Sequence, residues 1–203
     1  MRANDLRDHY EDLFRRYGDA PEAVQWSSVD SQNKRFKILT EIGNLNGSNV
    51  LDFGCGLGHL GSYLESAGVD CLYNGIDIAP GFIDYCRKKF ATGDFGYLND
   101  FSGRSFDFVF VSGVFNNRME NNWNFFKETV ARLFEMTEVG LAFNCMSTYV
   151  DYEDENLYYF EPENVFGFLK REVTPFVTIR NDYYVKNDAP PFDFTVYAFR
   201  EGR

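Results

Sequence analysis

The chain is short of positive charge. Against 31 Asp and Glu it carries 20 Lys and Arg, a formal net charge of −11 over 203 residues. Wrapping DNA or RNA, or lying on an anionic membrane, needs a basic surface, so nucleic acid and membrane are both disfavoured as partners. Histidine is nearly absent, at two residues, and the four cysteines (Cys55, Cys71, Cys86, Cys145) form no CxxC pair. That inventory assembles no zinc set at a recognised spacing, and no metal is expected. Each cysteine falls in or beside an apolar run, as reduced cysteines packed as small hydrophobes do. No apolar run approaches the ~20 residues of a membrane span. The first residues, MRANDLRDHYEDLFRRYG, alternate charge and lack the apolar stretch of a signal peptide. Linkers rich in Pro, Gly or Ser, internal repeats and low-complexity tracts are also missing. The chain reads as soluble, reduced and cytoplasmic, with a small molecule as its expected partner and its oligomeric state open.

What is present is an ordinary globular balance with an aromatic excess. Hydrophobic residues make up 44% and charged residues 25%, which argues against long disorder. Aromatics reach 18%, with 22 Phe and 13 Tyr, and predict an aromatic core and an aromatic-lined pocket. Leu6, Tyr10, Leu13, Phe14 and Tyr17 recur at helical spacing, and Gly18 stops that segment. A second helix is predicted from about Ser31, with Phe36, Leu39 and Ile42 on one face. From Ser48 onward the pattern changes to short apolar runs separated by helical stretches. Strands are predicted at 49–53, 73–77, 95–98, 106–112 and 140–145, with helices after Gly58, from Pro80, between Trp123 and Phe134, and from Pro162. The tail reads as two strands, 176–183 and 192–199, joined by KNDAPP. Strands alternating with helices imply an α/β fold: a doubly wound, mostly parallel seven-stranded sheet with helices on both faces. A C-terminal antiparallel hairpin closes it, and a helical extension precedes it. We expect one domain over 1–203, with residues 1–45 as a helical lid and 48–203 as the Rossmann-like core.

The strongest local signal is Val50-Leu-Asp-Phe-Gly-Cys-Gly-Leu-Gly58, between the first strand and its helix. Three glycines let the backbone turn sharply and approach a ligand at a helix N-terminus. Asp77 ends the next strand, nineteen residues after Gly58, where a carboxylate can accept from both ribose hydroxyls of an adenosine. Residues 56–61, GLGHLG, also match the dinucleotide pattern GxGxxG. In that pattern the strand runs almost directly into the first glycine, whereas here Asp52 stands at the strand end. An anion beside a diphosphate is repulsive, and an anion beside an ammonium and a sulfonium is favourable. The loop suits a cationic adenosyl ligand better than NAD.

LDFGCGLG followed by GIDIAP resembles motif I and the acidic post-motif of class I S-adenosylmethionine-dependent methyltransferases. The resemblance runs from about residue 48 to 200 and includes the closing hairpin. It implies S-adenosylmethionine as cofactor and methyl transfer to a small-molecule acceptor by in-line displacement. By position it places Asp52, Gly54, Cys55, Gly56 and Gly58 along the methionine part of the cofactor. Asp77 would take the ribose, Ile78 would pack on adenine, and Asn99, Asp100 and Phe101 fall in the slot that holds the adenine edge. Ser112 ends the fourth strand, where such enzymes meet the amino-acid end. Plain structural roles stand beside these: a turn cap for Asp100 and core packing for Phe101.

Ligands in this fold bind beyond the carboxyl ends of the strands. Candidate substrate contacts there are Tyr10, Trp26 and Arg35 before the core, Asn116 after the fourth strand, and Tyr149 in STYVDYEDENLYYFEP. Acids interleaved with aromatics in that last segment are open to two readings, a cage for a cationic amine or a solvated acidic loop. His59, directly after the glycine loop, is expected to face solvent. No residue stands out as a general base. A non-catalytic binder of S-adenosylmethionine and an NAD(P)-dependent oxidoreductase are the alternatives.

Overall fold

The computed structural model describes residues 3–24, 28–186 and 191–202. Trp26 therefore lies outside the described residues. The chain opens with helix α1 (Ala3–Tyr17), which ends where Gly18 takes a φ of +59°. Helix α2 (Val29–Thr40) starts two residues before the expected position because the Ser28 hydroxyl caps it, accepting from the Ser31 N–H at 3.2 Å. Strands and helices then alternate: β1 (Asn49–Phe53), α3 (His59–Ser66), β2 (Leu72–Ile76), α4 (Pro80–Lys89) and β3 (Phe95–Gly96). A single 3-10 turn, Leu98–Phe101, leads to β4 (Phe106–Val111), followed by α5 (Asn122–Glu135), β5 (Thr137–Met146) and α6 (Pro162–Phe168). The C-terminal hairpin is β6 (Phe176–Arg180) and β7 (Asp193–Phe199).

These strands form one sheet in the order β3-β2-β1-β4-β5-β7-β6. The pairs among β1 to β5 are parallel, and β7 runs antiparallel between β5 and β6. The alternation of apolar and polar residues in β7 suggests one solvated face. Its interior place in the sheet overrides that, and every β7 residue is buried. Asp193 and Thr195 then need polar partners inside the protein.

The two faces of the sheet carry separate cores. On one, Leu51, Val109, Val111, Phe143 and Val196 pack under Phe126, Val130 and Leu133 of α5 and Val165 and Phe168 of α6. On the other, Val50, Phe108, Phe110, Ala142 and Tyr197 meet Phe36 and Leu39 of α2, Leu60 and Leu64 of α3, and Ile83 and Cys86 of α4. Phe126 is the hub of the first core, with the rings of Phe115, Phe143, Phe160 and Trp123 centred 5.0 to 5.5 Å away. Such aromatic contacts add to the area they bury. The chain steps from β1 outward to β3, then returns to the other side of β1 at β4. Order reverses between β1 and β4, and a crevice opens beyond their carboxyl ends, the usual ligand position in open α/β sheets.

Candidate active site

A cavity of about 440 Å³ lies at that reversal. Its floor is the β1 end and the glycine loop, from Asp52 to Leu57, with Ile76, Asp77 and Ile78 beside it. One wall is Ser112, Gly113 and Val114 beyond β4, and Leu98, Asn99, Phe125 and Thr129 close the side toward α5. The N-terminal helices form the opposite wall and roof through Leu6, Tyr10, Val24, Gln32 and Phe36.

The glycine loop is held open by its own backbone. Gly54 has φ +76°, and a Cβ there would come within 2.3 Å of Val114 Cγ2. Gly58 has φ +70° and serves as the N-cap of α3, and a Cβ there would strike Phe90 at 2.4 Å. No side chain caps α3, so its first N–H groups are left to the cavity end of the helix. Asp77 fastens the loop to β2: its Oδ2 accepts from Gly56 N–H at 2.8 Å and its Oδ1 from Ala79 N–H at 2.9 Å. Cys55 also lines the cavity, with its sulfur packed toward Gly75 of β2.

Both acids on the floor are buried, Asp52 to 3% and Asp77 to 7% exposure. Burial pushes the Asp52 carboxyl up to about 7; the Tyr73 hydroxyl, donating at 2.6 Å, pulls it back, and the charge of Asp77 adds to the rise. Burial likewise raises Asp77, against the backbone N–H groups that favour its charge. Asp52 Oδ1 and Ser112 Oγ, both on residues that line the cavity, are buried without a hydrogen-bond partner. Among the described residues no Lys or Arg lines the cavity. Two carboxyl groups, unused polar atoms and no Lys or Arg among the described residues make a poor seat for a diphosphate and a good one for an adenosyl group carrying positive charge.

The structure sorts the sequence candidates. Asp52, Gly54, Cys55, Gly56, Asp77, Ile78, Asn99, Ser112 and Tyr10 all line the cavity. Gly58 sits just behind it as the helix cap. Asp100 is turned away, its Oδ2 accepting from Tyr97 N–H at 2.8 Å to cap the 3-10 turn, and Phe101 is core, 1% exposed. Arg35 is off the cavity wall and ion-paired with Asp193 beneath it. Asn116 is also off the wall; its backbone carbonyl accepts from Tyr158 N–H at 2.8 Å, and its side-chain oxygen is buried and unpartnered. Tyr149 is 63% exposed and donates its hydroxyl to Glu163. Tyr152 is exposed as well, so the acidic, aromatic segment presents its first tyrosines to solvent.

His59 departs from expectation. Rather than facing solvent, it lines the cavity, with Nε2 3.0 Å from Asp19 Oδ1 and Nδ1 3.2 Å from the Gln32 amide nitrogen. A carboxylate on Nε2 fixes the neutral ring with its proton there, leaving Nδ1 to accept from Gln32. Burial lowers its pKa, against the pull of Asp19. The partner Asp19 is forty residues away in the turn after α1, so no local pattern announced the pair. Phe125 and Thr129, one turn apart on α5 beside the core stripe, were legible in principle from helical periodicity.

A family model described as "Methyltransferase domain" matches residues 50–135, from β1 through α5. The chain is 31% identical over 144 residues to "Putative methyltransferase Rv1506c" of Mycobacterium tuberculosis, spanning 66% of this chain and 86% of that protein. Among solved structures it is similar to magnesium protoporphyrin IX methyltransferase (ChlM) from Synechocystis PCC 6803 with bound SAH. There the TM-score is 0.71 at 18% identity, over 98% of this chain and 100% of the other. The plantazolicin methyltransferase BamL aligns with TM-score 0.63 at 13% identity, over 97% and 98%. At those identities the structural likeness establishes the fold. Together with the curated relative and the family match, it shows that the chain belongs to the class I S-adenosylmethionine-dependent methyltransferases.

Proposed function

We propose that this protein transfers the methyl group of S-adenosylmethionine to a small-molecule acceptor by in-line displacement. The observation that carries the reading is the cavity at the β1/β4 reversal, with Asp52 and Asp77 on its floor and, among the described residues, no Lys or Arg on its walls. The unpartnered Asp52 Oδ1 and Ser112 Oγ are the fit expected of groups reserved for a polar, cationic ligand. Asp52 and the backbone of Gly54–Gly56 would hold the methionine end, Asp77 the ribose, and Ile78 and Asn99 the adenine. When bound, the cofactor supplies a methyl group already activated by its sulfonium. The protein's part is then to orient the reactants and exclude water, effects worth several powers of ten in rate.

The roof built by Leu6, Tyr10, Gln32 and Phe36 supports a lid role for the N-terminal helices. Tyr10 is half-buried, accepts from Asn117 Nδ2 at 3.0 Å, and so joins α1 to the loop after β4 across the cavity. Two points support a small acceptor: the net charge of −11, which disfavours nucleic acid, and structural relatives named for magnesium protoporphyrin IX and plantazolicin. Calorimetric titration with S-adenosylhomocysteine, with NAD as control, tests the cofactor. Mass-spectrometric screening of amine, hydroxyl and carboxylate acceptors then tests transfer. Binding of NAD, or of neither ligand, would overturn the reading.

A further inference from the structure

A buried chain of polar groups runs from α2 to the carboxyl end of β4. Arg35 Nε donates to Asp193 Oδ2, Asn144 Nδ2 reaches the same oxygen at 3.5 Å, and Asn144 Oδ1 accepts from Gly113 N–H at 2.9 Å. Arg35, Asp193 and Asn144 are 6%, 1% and 1% exposed. The β5–β7 register explains the meeting: Asn144 pairs with Thr195, so Asp193 is its diagonal neighbour on the same face of the sheet, the face that α2 covers. Because its amide nitrogen is turned to a carboxylate, the side chain of Asn144 must present its oxygen to Gly113; a flip would set donor against donor.

A buried ion pair is weak evidence for stability, since desolvation offsets most of the attraction. Its placement is more informative. Gln32 and Phe36, which flank Arg35 on α2, form one wall of the cavity, and Ser112 and Gly113 form the wall facing them. The polar chain passes beneath and ties the two together. We propose that Arg35, Asp193 and Asn144 are positioning residues that set the spacing between α2 and the Ser112–Gly113 corner, and through it the affinity of the cavity for the cofactor. This rests on the methyltransferase reading above.

The test measures S-adenosylhomocysteine affinity by calorimetry, melting temperature, and backbone hydrogen exchange in Asn144→Leu and in the double variant Arg35→Met/Asp193→Leu. The double variant removes both charges together and so leaves neither ion buried alone. Val165→Ala, in the core on the opposite face and on α6, which does not line the cavity, serves as a destabilised control. Both network variants are expected to lose at least about tenfold in affinity and to exchange faster in α2 and beyond β4. The control keeps wild-type affinity. Folded network variants with unchanged affinity, or a control that loses as much, would overturn the inference. In the wild type, nuclear magnetic resonance should show the Gly113 amide and the Arg35 Nε–H gaining protection together on titration with S-adenosylhomocysteine, a readout that needs no variant to fold; no joint change overturns the inference. A wild type that binds no S-adenosylhomocysteine overturns the methyltransferase reading itself, and is told apart from the other failures by that result.

Discussion

Asp52 has the most consequential environment of any residue in the cavity. Burial holds its carboxyl near 7, against 3.8 in an unfolded chain. Between those values the folded protein keeps a proton that the unfolded chain has lost, so the associated stability is fully present below about pH 4 and disappears as pH rises through about 7. Wild type should therefore lose stability relative to Asp52→Asn as pH climbs from about 4 to 7, by an amount of order a few kcal/mol at most, with the difference level above that. His59 acts in the opposite sense, its lowered pKa giving stability that is lost as pH falls, but it is common to both proteins and cancels in the comparison. A flat difference between the two melting profiles would show that Asp52 is ionised throughout. The same residue predicts proton release when the cationic cofactor binds near neutral pH, read as a buffer-dependent binding enthalpy. Asp77 makes a different prediction. Asp77→Ala removes the acceptor of the Gly56 and Ala79 N–H groups and the expected ribose contact, and should weaken S-adenosylhomocysteine binding by ~10- to 100-fold, the range for lost charged hydrogen bonds. Unchanged calorimetric affinity would remove Asp77 from the site.

At the scale of elements, the informative contrast is between α1 and the glycine loop. The loop was legible because its chemistry is local: glycines at positive φ, an acid at the strand end and a helix start lie within nine residues, Val50 to Gly58. Helix α1 was legible as a helix, and residues 1–45 were expected as a lid with Tyr10 toward the site, but the seat of the helix was not legible, because that depends on where it docks. It docks on α4, with Tyr10 and Phe14 against Phe82, and Glu11 accepting from Gly81 N–H at 2.7 Å. Tyr10→Phe removes only the oxygen that receives Asn117, and should cost a few-fold in cofactor affinity. Tyr10→Ala also removes the ring from the roof, so α1 should exchange its amides markedly faster while the sheet stays protected. Equal exchange in the two variants would mean that the hydroxyl, rather than the packing, seats the helix.

For the whole molecule, stability rests on two cores separated by one sheet, and the aromatic excess has a definite location. Phe126→Ala would empty the hub of the α5 face and should cost about 3–5 kcal/mol. For a chain of this size that corresponds to a drop in melting temperature of roughly 6–20 °C. Phe126 turns into the core and does not itself line the cavity, which its helix reaches through Phe125 and Thr129, so S-adenosylhomocysteine affinity below the transition should change by no more than a few-fold. Loss of affinity in step with the melting temperature would show that the α5 core and the cavity wall are not independent.

The α/β alternation, the parallel sheet, the glycine loop and the spaced acid were determined by the sequence alone, because each follows from periodicity or chemistry within a few residues. Tertiary structure decided the rest. Asp193 reads as a solvent-facing strand residue until β7 is found inside the sheet; there it must be paired, and Arg35, 158 residues away, does so. The same distance problem hid His59 with Asp19 and turned Arg35 from a cavity ligand into a buried brace. Asp100 and Phe101 sit in the expected slot, yet the 3-10 turn directs one to its own cap and the other into the core. Side-chain direction at such positions is set by which elements dock together, and docking depends on contacts between residues far apart in the chain, which local periodicity does not encode.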